Sequence, residues 1–190
     1  MAWQSLKYRL TSDCPMLMHA ATTVDPLHPL AKELKRISGK KAKTDADHEA
    51  MARVEFMAGL YMNKDGPVLP AANIDAMIVK AAAKLKEGTI AKTAIYTPHA
   101  ASVEYDGPRT AQELYEDERF RHRARVKVGM ASVMRTRPIF NEWTAIVEVQ
   151  VETSTVNPSQ VDTWFTIAGQ QVGMGDWRPQ HGRFTAVRIP

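Results

Sequence analysis

The 190-residue sequence contains a single cysteine and no long run of apolar residues. Cys14 alone cannot form an internal disulfide, which agrees with a reducing compartment. A helix that spans a bilayer needs about 20 consecutive apolar residues, and no stretch approaches that length. The opening stretch, MAWQSLKYRL, also lacks the apolar core of a signal peptide. We therefore expect a cytoplasmic protein without a membrane partner.

The sequence also lacks the common motifs of metal and catalytic sites. No cysteine or histidine pair has zinc-ligand spacing, and there is no Gly-Lys-Ser phosphate loop and no serine nucleophile elbow. Asp45, Asp47 and Glu49 are close together, but they fit a helix N-terminus better than a metal site. We therefore expect no metal and no cofactor, and these residues give little support to an enzymatic function.

Length and composition predict one globular domain. Hydrophobic residues make up 44% of the chain and charged residues 24%, which is ordinary for a globular protein. We expect residues 1–190 to form a single domain, with a core at about 1–90 and 141–190 and an insertion at about 91–140.

The pattern of apolar residues predicts an α+β fold. Leu6, Tyr8 and Leu10 alternate with charged residues, and a similar alternation over residues 143–151 predicts a second strand. Strand–helix–strand order at both ends of the chain favours a ferredoxin-like core with an antiparallel sheet, flanking helices and a strand-rich insertion. One helix is predicted to begin with Asn73 as N-cap and to end at Gly88.

The stretch RFRHRARVKVGMASVMRTR, residues 119–137, has seven basic residues and no acid. All seven occupy odd positions, which predicts a one-sided row of positive charge. They are Arg119, Arg121, Arg123, Arg125, Lys127, Arg135 and Arg137. If residues 113–123 formed one continuous helix, the first two would leave the row.

Residues two apart share one face of a strand, so Arg123, Arg125 and Lys127 would line up at intervals of about 7 Å. That pitch matches the phosphates of an extended single strand, while Ala124, Val126 and Val128 on the other face can be buried. Arginine is favoured where phosphate is bound by two parallel hydrogen bonds. The alternative is a solvated or protein-binding edge strand whose charge prevents aggregation.

Two further segments are candidate contacts for a nucleic acid. KELKRISGKKAK, residues 32–43, has six cations, and Lys40, Lys41 and Lys43 could close over a bound strand. In GMGDWRPQHGRF, residues 173–184, glycines let backbone amides approach an anion and Trp177 could stack on a base. The alternatives are a solvated surface helix and a core tryptophan. Additional phosphate contacts, secondary to those of the β-strand row, are expected from Arg135, Arg137, Arg178 and Arg183.

An acidic block precedes the basic stretch. It comprises Glu113, Glu116, Asp117 and Glu118. Separated blocks of opposite charge favour head-to-tail contact between copies of a chain, so we expect this block to meet the basic face of the next copy.

Three segments resemble the RAMP superfamily of CRISPR proteins. GPVLPAANIDAMIVKAAAKL resembles its hairpin–proline–helix motif, GMGDWRPQHGRFTAVRI its C-terminal glycine-rich loop and last strand, and LKYRLTSDCPMLMH its first strand. DGPR, YEDERFR and VMRTRPIF also resemble a widespread phage and prophage family. The resemblance implies an RNA-recognition-type core with an insertion, polymerisation along a nucleic-acid strand, and a setting in the host bacterial cytoplasm.

The residues and the resemblance together predict a phage-type protein that binds single-stranded DNA or RNA as a homo-oligomer or filament. Replication, recombination or an RNA-guided-like assembly would be its setting. One alternative is a protein-binding phage factor, such as an inhibitor of host defence or a virion component. The other is a RAMP-like, metal-independent ribonuclease that uses His181 or His19.

Overall fold

The computed structural model describes residues 2–190 except for the side chain of Val128. The strands are β1 (Trp3–Ser12), β2 (Met16–Leu17), β3 (Met62–Asn63), β4 (Gly66–Leu69), β5 (Ile95–Tyr96), β6 (Ala101–Glu104), β7 (Arg121–Val128), β8 (Ala131–Phe140), β9 (Thr144–Glu152) and β10 (Phe184–Ile189). The helices are α1 (Pro29–Ser38), α2 (Asp45–Gly59), α3 (Ala71–Ala83), α4 (Gly88–Ala94), α5 (Ala111–Glu116) and α6 (Pro158–Ile167). The protein therefore has an α+β fold, as expected. Within residues 2–190, no helix combines the length and apolar character needed to cross a bilayer.

The chain divides into two compact units. Unit 1 contains Met1–Met16, Met62–Asp106 and Asn141–Pro190, and unit 2 contains Leu17–Tyr61 and Gly107–Phe140. Residues 17–61 thus group with the later segment rather than with the flanking core, and residues 91–106 group with the core rather than with an insertion. The expectation of a single domain stays a prediction.

Unit 1 is built on an antiparallel sheet with the strand order β10-β1-β9-β6-β4-β3, and β5 also pairs with β9. One face of β1 presents the buried side chains Leu6, Tyr8 and Leu10, as the alternation predicted. Helix α6 packs on this face, where the ring of Tyr8 stacks on that of Phe165 with 3.9 Å between centroids. The core of unit 1 therefore lies on the helix-covered side of the sheet.

Helix α6 begins at a capping motif formed by its own first residues. Asn157 and Gln160 form a reciprocal capping box, and Pro158 occupies the first turn. Val161, Trp164 and Phe165 are buried on one face of the helix. The indole Nε1 of Trp164 donates to Glu87 at 2.6 Å, so its one polar atom is satisfied.

The predicted ends of α3 were wrong. The helix begins after Pro70, whose extended backbone makes it the N-cap, and the amide of Asn73 already donates to the Pro70 carbonyl at 3.0 Å. It ends at Ala83, and Gly88 begins α4 instead of ending α3. A Cβ at Gly88 would lie 3.0 Å from the Cβ of Ala83, so this glycine permits a close approach between two helices.

Unit 2 combines α1, α2 and α5 with the strands β7 and β8 and with Leu17 of β2, in a sheet of order β2-β8-β7. Gly39 is the C-cap of α1, and the capping box of Thr44 and Asp47 begins α2, which agrees with the helix N-terminus predicted at Asp45, Asp47 and Glu49. The end of α2 packs closely on β8, because a Cβ at Gly59 would lie 3.1 Å from the ring of Pro138. The two strands β7 and β8 form a hairpin whose turn residue Gly129 has a φ of +61°.

The buried phenol of Tyr8 predicts a pH dependence of stability. Its hydroxyl donates to Asp162 at 2.7 Å, and burial followed by this hydrogen bond raises the pKa of Tyr8 above its ordinary value. Because the pKa of Tyr8 is higher in the folded state than in the unfolded state, the protonated phenol stabilises the fold. This stabilisation is fully present below about pH 10 and is lost as the pH rises further. Urea unfolding should show that Tyr8→Phe lowers the free energy of unfolding by about 1 kcal/mol at neutral pH and flattens its alkaline decline.

Tyr96→Phe is the matched control, because Tyr96 is half-exposed on the other face of the same sheet. It should retain the alkaline decline of the wild type. An equal decline in Tyr8→Phe would show that another group causes the pH dependence.

Candidate nucleic-acid interface

The predicted row of cations lies on β7. Helix α5 ends at Glu116 and a 3₁₀ turn follows, so no continuous helix reaches Arg123. The side chains of Arg123, Arg125 and Lys127 are exposed. On the other face Ala124 and Val126 are half-buried, and the side chain of Val128 lies outside the described residues. The strand and its alternation are as predicted.

The pairing register separates the seven odd-numbered cations. Val128 pairs with Ala131 across the turn, so each odd position on β7 faces an even position on β8. Directly opposed residues of an antiparallel pair share one face of the sheet. Arg135 faces Ala124 and therefore lies on the face opposite the row, and the same holds for Arg137, which faces His122. The expectation of a single one-sided row was wrong for these two arginines.

Arg135 is bound by an acid that the sequence did not indicate. Glu55 on α2 forms an ion pair with the Arg135 guanidinium, and its other oxygen accepts from the backbone amide of Thr136 at 3.0 Å. The Glu55 side chain is only 9% exposed. This carboxylate therefore provides a hydrogen-bond acceptor for a backbone amide of β8, and it neutralises the charge of Arg135 within unit 2.

The acidic block neutralises the beginning of the basic stretch. Asp117 pairs with Arg119 at 2.7 Å, and the hydrogen bond from that guanidinium lowers the pKa of Asp117. Glu118 pairs with Arg121 at 2.9 Å. Elsewhere in the block, Glu113 accepts from Thr110 and Glu116 accepts from Gln112.

Arg123, Arg125 and Lys127 differ from these paired residues. Within the described part of the chain, no carboxylate forms an ion pair with any of the three. Arg119 and Arg121 are therefore paired with acids, whereas the three cations that were predicted to bind phosphate are not.

An open groove lies at the Arg121 end of the row. It has a volume of about 640 Å³, and its lining includes Tyr115, Arg121, Arg123 and Thr136. The guanidinium carbons of Arg121 and Arg53 lie 5.2 Å and 5.5 Å from the centre of the Tyr115 ring. Arg53 and Tyr115 were missed because no sequence pattern joins α2 to α5. The ring is already covered by cations, and Glu49 and Glu118 also line the groove, so it offers neither a free stacking surface nor a net positive charge.

The lysines between α1 and α2 form local bonds. Lys40 pairs with Asp47 at 2.6 Å, and this contact, together with backbone bonding at Thr44, lowers the pKa of Asp47 to about 2. Lys43 Nζ donates to the carbonyl of Lys40 at 2.8 Å. Lys41 is exposed. Two of the three predicted lysines thus stabilise their own loop.

The glycine-rich loop of unit 1 does not present the predicted amide cradle at two of its glycines. The amide of Gly173 donates to Ala168 and that of Gly182 to Pro15, both at 2.8 Å. A Cβ at Gly182 would lie 1.7 Å from the carbonyl oxygen of Met174, so this glycine is needed for packing. The loop still presents the half-buried Trp177 and the exposed Arg178 and Arg183.

The histidines considered for catalysis lie in different units. His19 in unit 2 is exposed, and its carbonyl accepts from the Tyr61 hydroxyl at 3.1 Å. His181 in unit 1 is half-buried, with its ring edge-on to Trp177. Among residues 2–190, no group of three or more histidine, cysteine or acidic side chains could hold a metal ion.

Comparisons with protein-family models and with curated proteins gave no match for this chain. The resemblance drawn from the sequence therefore stays a hypothesis, and the role of this interface has to be inferred from its own residues.

The contact of Glu55 with β8 predicts the effect of removing it. Glu55→Ala leaves the Arg135 guanidinium and the Thr136 amide without their acceptor, so unfolding should become easier by about 2 kcal/mol. Urea denaturation measures this change, and amide hydrogen exchange should accelerate at Thr136. Glu49→Ala, an exposed position on the same helix, is the matched control and should leave both unchanged. Equal urea midpoints for the two variants would contradict this role of Glu55.

Proposed function

We propose that the chain is a single-stranded nucleic-acid-binding protein that holds phosphates with Arg123, Arg125 and Lys127. The observation that carries this proposal is the row itself. Its three side chains are exposed on one face of β7, and no carboxylate within residues 2–190 forms an ion pair with them. Arg119 and Arg121 are neutralised by acids close to them in the chain. The three cations further along β7 are not, so their charge is available for an external anion.

The spacing of the row favours a single strand as the ligand. Alternate residues of a strand are about 7 Å apart, which is close to the distance between phosphates in an extended chain of nucleotides. Arginine can bind each phosphate by two parallel hydrogen bonds. Phosphate contacts of this kind do not detect the 2′-hydroxyl, so both DNA and RNA are ligands in this proposal.

The fold of unit 1 fits this setting. The order β10-β1-β9-β6, with α3 before β6 and α6 between β9 and β10, supports a ferredoxin-like core. We propose this topology together with the RAMP-like and phage-type relationship, and with a role in the bacterial cytoplasm during replication, recombination or an RNA-guided-like assembly.

Multimerisation along the strand is the second part of the proposal. Asp117 and Glu118 pair within their own chain, so contact with the next copy would depend on Glu113 and Glu116. Both lie on α5, and the bonds they accept come from the uncharged side chains of Thr110 and Gln112. Their negative charge is therefore available to the basic face of another copy.

Protein binding is the runner-up, and one observation favours it. Met130 at the hairpin turn is fully exposed, and Met134 on β8 is half-exposed. Exposed methionines beside arginines suit a protein surface as well as a nucleic acid. An acidic protein partner of the same face is therefore the alternative to a strand.

Removing the row should weaken binding and its salt dependence together. For Arg123→Ala/Arg125→Ala/Lys127→Ala, fluorescence anisotropy with labelled oligothymidylate and oligouridylate should show a large loss of affinity at low salt. The slope of log affinity against log salt concentration should become shallower by about 2, because each of the three phosphate contacts contributes about 0.7.

The matched control is Lys80→Ala/Lys84→Ala/Lys92→Ala, which removes the same charge from exposed positions on α3, at its C-cap and on α4. It should change the slope little. An affinity equal to that of the wild type in the β7 variant would refute the assignment of the row. Weak binding of every strand by the wild type at low salt would instead favour a protein partner.

Charge removal on α5 should affect assembly more than affinity. Glu113→Gln/Glu116→Gln should bind a short oligonucleotide as the wild type does, because neither residue is proposed to touch phosphate. On longer strands its footprint should stop growing with strand length, as measured by analytical ultracentrifugation of the complexes. Undiminished growth of the footprint would exclude this block as the contact between copies.

A further inference from the structure

The sheet of unit 1 has a second face that carries an unusual set of exposed side chains. Trp3, Tyr96, Ile146 and Val187 are each between 46% and 57% exposed. Trp3 shares its face of β1 with Lys7 and Arg9, because it alternates with the buried residues that pack against α6. The sequence did not predict any of these residues as a binding residue.

The strand register brings these side chains onto one face. Arg9 is opposed by Ile146 on β9 and by Val187 on β10. Gln150 on β9 is opposed by Ser5 on one side and by Tyr96 on the other, so Tyr96 shares the face of Ser5. The rings of Trp3 and Tyr96 meet edge to face, with 5.2 Å between their centres.

The face has a chemical order along β1. An aromatic pair stands at one end, followed by Ser5, and then by Lys7 and Arg9 at intervals of about 7 Å. Half-exposed rings can stack on bases, and cations two residues apart can hold successive phosphates. Gln150 and Ser5, beside the rings, supply polar groups that can reach base edges.

The acids of this face are held by hydrogen bonds from their own chain, and Glu148 lies directly opposite Lys7. Glu148 accepts hydrogen bonds from Ser5 at 2.7 Å and from Gln150 at 3.3 Å. Glu152 is buried and accepts from Ser154 and Thr155. Glu104, at the β6 side of the face, also has partners of its own. Lys7 and Arg9 are both exposed on β1, between β9 and β10, and Arg9 has only the apolar neighbours Ile146 and Val187 across from it.

We propose that this uncovered face of unit 1 is a second binding surface for single-stranded nucleic acid. Trp3 and Tyr96 stack on bases, and Lys7 and Arg9 hold phosphates. The proposal extends the function proposed for β7 and rests on it for the class of ligand, but it uses different residues. The β7 row contacts phosphates only, whereas a surface with rings requires unpaired bases, so this face would strengthen the preference for single strands over duplex.

Substitution of the rings tests the proposal in the full-length protein. Trp3→Ala/Tyr96→Ala should lower the affinity for oligothymidylate by roughly tenfold or more, since each stacked base contributes substantially. Affinity for a duplex should change little, and so should the salt slope, because no cation is removed. Trp3→Phe/Tyr96→Phe should restore most of the affinity by restoring the rings.

Ile146→Ala/Val187→Ala is the matched control, because it removes exposed apolar groups from the same face without removing a ring. Base stacking predicts that this control binds as the wild type does. An equal loss in both variants, or a change in oligomeric state on gel filtration, would overturn the proposal in favour of a contact between copies.

Tryptophan emission provides a second readout. Trp143 and Trp164 are buried, so in a Trp177→Phe background the emission of Trp3 should be quenched by oligothymidylate. Absence of quenching at a saturating concentration of oligothymidylate would overturn stacking on Trp3.

The affinities of the variants also separate the two proposals. If only the β7 variant loses affinity, this face is not a binding surface; if only the ring variant does, the β7 assignment fails.

Discussion

The pairing register of β7 with β8 determines how unit 2 uses its positive charge. The turn pairs Val128 with Ala131, so every odd position on one strand faces an even position on the other. Cations that share parity in the sequence are thereby divided between two faces. Arg123, Arg125 and Lys127 remain together, and Arg135 is directed to Glu55. A shift of the turn by one residue would exchange the faces and expose a different set of charges.

Neighbouring acids then select which cations are available to a ligand. Asp117 and Glu118 pair with Arg119 and Arg121 a few residues away, so the acidic block acts on its own chain before it can act on another. These ion pairs are exposed and each contributes little to stability. Their main effect is on the distribution of charge, because they restrict the net positive charge of β7 to the segment from Arg123 to Lys127.

Unit 1 shows the same division of labour between two faces of a sheet. Helix α6 covers one side through the contact of Phe165 with Tyr8, and Leu6, Tyr8 and Leu10 of β1 are buried on that side. On the other side Trp3, Lys7 and Arg9 are exposed to solvent, together with the short polar residues Ser5 and Thr11. The two surfaces proposed for nucleic acid thus lie on different units, and the proposed contacts rely mainly on charge in one and on stacking in the other.

The sequence by itself determined the local structure: the alternating strands β1, β7 and β9, the capping boxes of α2 and α6, and the exposure of Arg123, Arg125 and Lys127. These features depend on residues within a turn or two of one another. The tertiary structure alone decided the faces of Arg135 and Arg137, the pairing of Glu55, and the meeting of Trp3 with Tyr96. Each depends on strand register or on contacts between residues distant in the chain, and the periodicity of one segment contains no information about its partner.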